Sequence, residues 1–109
     1  MSAKKVYNKL VRDRIPQIIE DSGAVPVTEV LGEEAYGRAL FDKFFEEAEE
    51  YRTAESDDKI INELVDLYEV LLATAAYRGL TPAAFEQRRL AKHQARGGFE
   101  QRIMLKEVE

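Results

Sequence analysis

The chain has 109 residues, 45% of them hydrophobic and 34% charged, with a net charge of −5 and no cysteine. That composition is globular, and the length fits one domain, taken here as residues 1–109. Without cysteine there are no disulfides, thiol nucleophiles, zinc ribbons or iron–sulfur clusters. No apolar run approaches the roughly 20 residues of a membrane span, and the N-terminus lacks a hydrophobic signal core, so a cytoplasmic protein with no membrane partner is expected.

Residues 4–12 read as a short, mixed, extended segment. Pro16 suits the first turn of a short helix with Ile15, Ile18 and Ile19 on one face, closed by Gly23. Residues 25–31 alternate in part and hold β-branched side chains, which predicts a short strand or an extended linker. A long helix is predicted from about Gly32 to Ala54, because Tyr36, Leu40, Phe41, Phe44, Phe45, Ala48 and Tyr51 recur at three- and four-residue steps. Ser56 caps the next helix, with Asp57 and Asp58 in its first turn, and Gly79 closes it after Arg78. Thr81 and Pro82 start a third helix that ends near Arg96, before Gly97 and Gly98. Phe99, Ile103 and Leu105 form a tail that packs as a strand or a turn. The expected fold is all-α: a helical bundle on a long antiparallel hairpin, with short extended N- and C-terminal segments.

The helix after Ser56 is apolar around nearly its whole circumference, which predicts burial on every side. A chain with so few helices cannot cover it, and a homodimer or a dimer of dimers supplies the missing partner. Inside this helix stand Glu63, Asp66 and Glu69, whose carboxylates need compensation if buried. The preceding helix carries Glu46, Glu47, Glu49 and Glu50. If the hairpin turns between Ser56 and Asp57, Glu50 lies level with Glu63 and Glu47 with Asp66, in two layers about 4.5 Å apart. On a helical wheel Lys43, Glu47 and Glu50 fall at the edge of the apolar face, whereas Glu46 and Glu49 point further into solvent. Four facing carboxylates repel unless a cation lies among them. Oxygen ligands alone select Mg²⁺, or Mn²⁺ as the alternative ion, over zinc.

Charge is segregated along the chain. Between Glu29 and Glu69 lie 14 of the 21 acids and four bases, while residues 4–14 hold five bases and one acid. An acidic protein is a poor general nucleic-acid binder. Acids flanked by bases can instead hold a cation and a polyphosphate together. Lys9, Arg12 and Arg14 cluster at a helix start, and Arg89, Lys92 and Arg96 share one face of the last helix. His93, the one histidine, reads as a surface residue, which excludes a histidine-based triad.

Tyr7-Asn8-Lys9-Leu10-Val11-Arg12-Asp13-Arg14-Ile15-Pro16 resembles the N-terminal signature of a small MazG-like subgroup. Lys43-x-x-Glu46-Glu47-x-x-Glu50, followed by Glu63-Leu64-Val65-Asp66, resembles the metal motif of the all-α nucleoside triphosphate pyrophosphohydrolases, and Arg96-Gly97-Gly98-Phe99 is similar to the subgroup's C-terminal signature. The resemblance spans residues 7–105. It implies Mg²⁺ ligands at Glu47, Glu50, Glu63 and Asp66, catalytic roles for Glu46 and Glu47, and phosphate contacts from Lys9, Arg12, Arg14, Lys43, Lys92 and Arg96. It also implies cleavage of a nucleotide between its α- and β-phosphates, to a monophosphate and pyrophosphate, in a house-cleaning role. The histidine that often follows the second acid motif in phosphoribosyl-ATP pyrophosphohydrolases is absent, since Asp66-Leu67-Tyr68-Glu69 stands there, which argues against histidine biosynthesis. The competing expectation is a non-catalytic helical module of the same fold that binds a nucleotide or a partner.

Overall fold

A computed structural model of the chain describes residues 4–109. Among the described residues there are four helices and no strand: α1 (Ile15–Asp21), α2 (Glu33–Thr53), α3 (Asp57–Tyr77) and α4 (Pro82–Arg96). The fold is all-α, and α2 and α3 pack closely as a hairpin. None of these helices is long and apolar enough to cross a membrane.

The helix ends follow local chemistry. Pro16 occupies the first turn of α1, where its missing N–H costs nothing. Gly32 precedes α2, and Glu33 and Glu34 place negative charge against the positive end of its dipole. Ser56 Oγ accepts from the Lys59 N–H at 3.3 Å at the start of α3. Thr81 Oγ1 accepts from the Ala84 N–H at 3.1 Å at the start of α4. After α3 the chain turns through Gly79, whose φ of +89° suits glycine and strains other residues.

Two segments depart from the strand alternatives. Residues 25–31 form no regular element and expose Val25, Val27 and Val30, because no second strand exists among the described residues to pair with them. The tail makes one turn, with the Arg102 N–H donating to the Phe99 carbonyl at 3.0 Å, and then runs on without regular structure, its apolar side chains exposed.

The chain divides into two compact units, one running to Thr74 and the other covering Ala75–Glu109. The first holds α1, α2 and most of α3, with Leu40 and Val70 buried. The second holds the end of α3, α4 and the tail. In the single chain Ile61, Leu64, Val65, Tyr68 and Leu71 of α3 are exposed, because α3 has one long neighbour and one short one in the unit that holds most of it.

Candidate functional site

Leu40, Glu47, Val70 and Ala75 are the buried residues among those described. That a carboxylate, 6% exposed, is one of them is the most informative feature of the hairpin, since charged side chains are almost never buried unless paired. Glu47 projects from the α2 face that turns toward α3. Its Oε1 lies 3.2 Å from Lys43 Nζ, one helical turn earlier, whereas its Oε2 is buried with no hydrogen-bond partner.

Glu63 faces it from α3, and Glu63 Oε2 is likewise buried and unpartnered. Glu47, Glu50 and Glu63 each offer an oxygen such that all three atoms lie within 4.8 Å of one another. Burial pushes the Glu63 carboxyl up to about 7, and Glu47 and Glu50 push it in the same direction. Burial also raises Glu50, with the Glu47 charge acting next, although contact with Glu63 opposes the rise. Burial alone would lower the Lys43 ammonium, but its hydrogen bonds to Glu46 and Glu47 outweigh that effect and raise it.

Two orphaned carboxylate oxygens in a cluster of three acids fit a hard divalent cation, which prefers oxygen ligands and would satisfy both atoms at once. Glu47, Glu50 and Glu63 are therefore the residues able to hold one.

Asp66, expected level with Glu47, does not join the cluster. Its Oδ1 accepts from Arg12 Nη2 at 2.6 Å. The reason lies in the turn. Ala54, Glu55 and Ser56 are non-helical, and midway between the last residue of α2, Thr53, and the first of α3, Asp57, is position 55. About that point Glu47 lies level with Glu63, and Asp66 falls almost one turn further along. Glu46 also differs from expectation. Its Oε1 is half-buried, 3.4 Å from Lys9 Nζ and 3.2 Å from Lys43 Nζ, because the N-terminal segment covers an azimuth that the isolated hairpin would leave wet. Glu49 does face solvent, where it pairs with Arg52.

A cavity of about 280 Å³ adjoins the cluster. Lys9, Val11, Arg12 and Ile15 line it from the N-terminal side, and Lys43, Glu47 and Asp66 line it from the hairpin. Three of the six expected phosphate contacts, Lys9, Arg12 and Lys43, thus meet at one place. Arg14 is the exposed residue preceding α1 and lies outside the lining. Lys92 and Arg96 are exposed on α4, in the C-terminal unit, as is His93. Val11 and Ile15 were not expected at the site. The Arg12–Asp66 pair joins residues 54 positions apart, and its sequence signal is the basic run 4–14 standing against the acidic middle.

Over 50 residues the chain is 46% identical to an uncharacterized protein of Mycolicibacterium smegmatis. That alignment covers 46% of this chain and 51% of the relative, so the chain matches about half the length of that protein. No protein-family profile and no solved structure matches the chain.

Proposed function

We propose that the protein is a Mg²⁺-dependent nucleotide pyrophosphohydrolase that cleaves a nucleoside triphosphate, or a related nucleotide, between its α- and β-phosphates. The observation that carries this reading is the Glu47–Glu50–Glu63 cluster, two of whose buried oxygens lack a partner beside a cavity lined by three cations. The MazG-like motifs over residues 7–105 support it. When bound, Mg²⁺ (or Mn²⁺) neutralises phosphate charge and acidifies water, the chemistry that hydrolysis of a phosphoanhydride needs. Glu47, Glu50 and Glu63 would hold the ion, with Asp66 as the fourth acid of the motif.

Lys9, Arg12 and Lys43 meet the negative charge of the phosphate chain and hold it for in-line attack. Water adds to the α-phosphorus, the bond from that phosphorus to the bridging oxygen breaks, and pyrophosphate leaves with the electron pair. Glu46 and Glu47 would take the proton from water. The active form is a homodimer or a dimer of dimers, working on free nucleotides and not on nucleic acid.

Incubating the chain with a panel of nucleoside triphosphates and Mg²⁺, with products followed by phosphorus NMR, tests this reading. A nucleoside monophosphate and pyrophosphate are expected. Orthophosphate as the sole inorganic product, or no turnover across the panel, overturns it.

A further inference from the structure

Glu63 and Asp66 share one face of α3 at a spacing of three, yet Glu63 belongs to the acidic cluster and Asp66 does not. The turn sets Asp66 back along the hairpin, and Arg12 then holds its carboxylate: Nη2 donates to Oδ1 at 2.6 Å, across 54 positions of sequence. The other ion pairs beside the cluster answer acids of α2, with Lys9 on Glu46 and Lys43 on Glu46 and Glu47. Arg12 is thus the cation that engages α3.

This pair is built to exchange. The Arg12 side chain is 51% exposed and that of Asp66 37%, and an ion pair so open to water holds loosely. Asp66 lines the same cavity as Glu47, whose Oε2 is buried without a partner. One oxygen each from Glu47, Glu50 and Glu63 leaves a divalent ion short of the six or more it takes, so a further carboxylate on this face is a ready ligand. A divalent charge also attracts a carboxylate more strongly than a guanidinium does. Nor does the rest of the N-terminal segment depend on Arg12. Lys9 Nζ lies 3.4 Å from Glu46 Oε1 and 5.4 Å from the centre of the Tyr7 ring, and Lys5 Nζ lies 5.0 Å from that centre. Release of Asp66 therefore moves a side chain and leaves the segment in place.

We infer that Arg12 is a latch on Asp66: in the cation-free chain it keeps this carboxylate out of the cluster, and when a divalent cation is bound Asp66 leaves the guanidinium for the ion. One counter-ion replaces another, and no covalent bond changes. Arg12 is a positioning residue in this step, since it acts on the cation site through Asp66. The inference rests on the cation site of the hydrolase reading and deepens it. The Arg12 charge is left uncompensated only after the cation is seated, which orders the loading of the site, cation before anion.

Two measurements on the intact chain test the latch. The first is Mn²⁺ affinity, followed by electron paramagnetic resonance at an ionic strength that screens exposed charges beyond about 8 Å. Asp66→Asn is expected to weaken Mn²⁺ binding about tenfold. Arg12→Gln is expected to tighten it about threefold or more, and to change it by less than about twofold where Asp66→Asn is already present. Equal effects of Arg12→Gln in the two backgrounds overturn the latch, because simple loss of a positive charge acts in both. The second is nitrogen-15 NMR of the Arg12 guanidinium with diamagnetic Mg²⁺. Saturating Mg²⁺ is expected to move the wild-type signal to the position it holds in Asp66→Asn without the metal. A signal that stays in place while Mg²⁺ binds overturns the latch, whether or not Arg12→Gln folds. Either of these negative results leaves the hydrolase reading standing. A working latch without nucleotide turnover removes the hydrolase reading and leaves the latch, and a chain that binds neither ion overturns both.

Discussion

At the residue scale, the site is a set of acids held closer than their charges allow. Glu63 illustrates the cost. Its folded carboxyl titrates at about 7, above its ordinary value of 4.5, because burial and the facing carboxylates resist its ionisation. An acid with a raised folded pKa binds more protons folded than unfolded, so this group lowers stability as pH rises from about 4.5 to about 7, and the loss is complete above that window. Without a divalent cation the protein should therefore melt at a higher temperature at pH 5.5 than at pH 8, so far as Glu63 governs. Glu63→Gln removes the charge. Discounted for its partial solvent access, the gain at pH 8 is about 1 kcal/mol, or roughly 4 °C, and it shrinks toward pH 5. Calorimetric melts at the two pH values in EDTA check this, and an unchanged or lower melting temperature for Glu63→Gln at pH 8 would contradict it. Adding Mg²⁺ should stabilise wild type more at pH 8 than at pH 5.5, since protons compete for the same oxygens. Glu47→Gln should abolish nucleotide turnover while circular dichroism shows the helices intact. Full activity in that variant would remove Glu47 from the machinery.

At the element scale, the helices were legible because their ends carry strong local signals. The reading of α2 from about Gly32 to Ala54 meets a helix of Glu33–Thr53 flanked by those two residues, and Thr81 with Pro82 marks the start of α4 as expected. What could not be read was the phase of the hairpin. Placing its turn at Ser56–Asp57, 1.5 residues beyond the observed midpoint, moves each mirrored partner by three, which separates Asp66 from the cluster and brings Glu63 level with Glu47. No local residue encodes that offset; it depends on how many residues the turn leaves outside both helices. The burial of Glu46 was hidden for a related reason, since it depends on a segment 37 positions away folding back as Lys9. The strand option at 25–31 failed because alternation needs a partner strand that sequence periodicity does not supply. The cap on α4 gives a clean local test. Thr81→Ala removes the acceptor for the Ala84 N–H and should cost about 1 kcal/mol in the C-terminal unit, read as lower amide protection there with pyrophosphate affinity unchanged.

At the scale of the whole molecule, the question is what covers the hairpin. Phe41, Phe44, Phe45 and Tyr51 on α2 recur at three-, four- and seven-residue steps, and all are exposed; Phe41 is 65% and Phe45 58% accessible. Ile61, Leu64, Val65, Tyr68 and Leu71 on α3 follow the same spacing, with Ile61 57% and Tyr68 58% accessible. Each helix thus carries an apolar stripe distinct from the side where Leu40, Glu47 and Val70 are buried. Scattered exposed apolar residues need no explanation, but two apolar stripes on paired helices are more than monomers usually leave in water. A second copy of the hairpin laid across it about a two-fold axis would make a four-helix bundle and keep both acidic clusters beside the new core. The expected mass in solution is twice or four times the 12.5 kDa of one chain. Light scattering at micromolar concentration that returns the single-chain mass would overturn this assembly. Val65→Asp places a charge in the middle of the α3 stripe and should shift the mass to that of one chain. If the cluster depends on support from across the interface, turnover per chain falls on dilution and returns on concentration, whereas a self-sufficient hairpin keeps constant specific activity through the dissociation range.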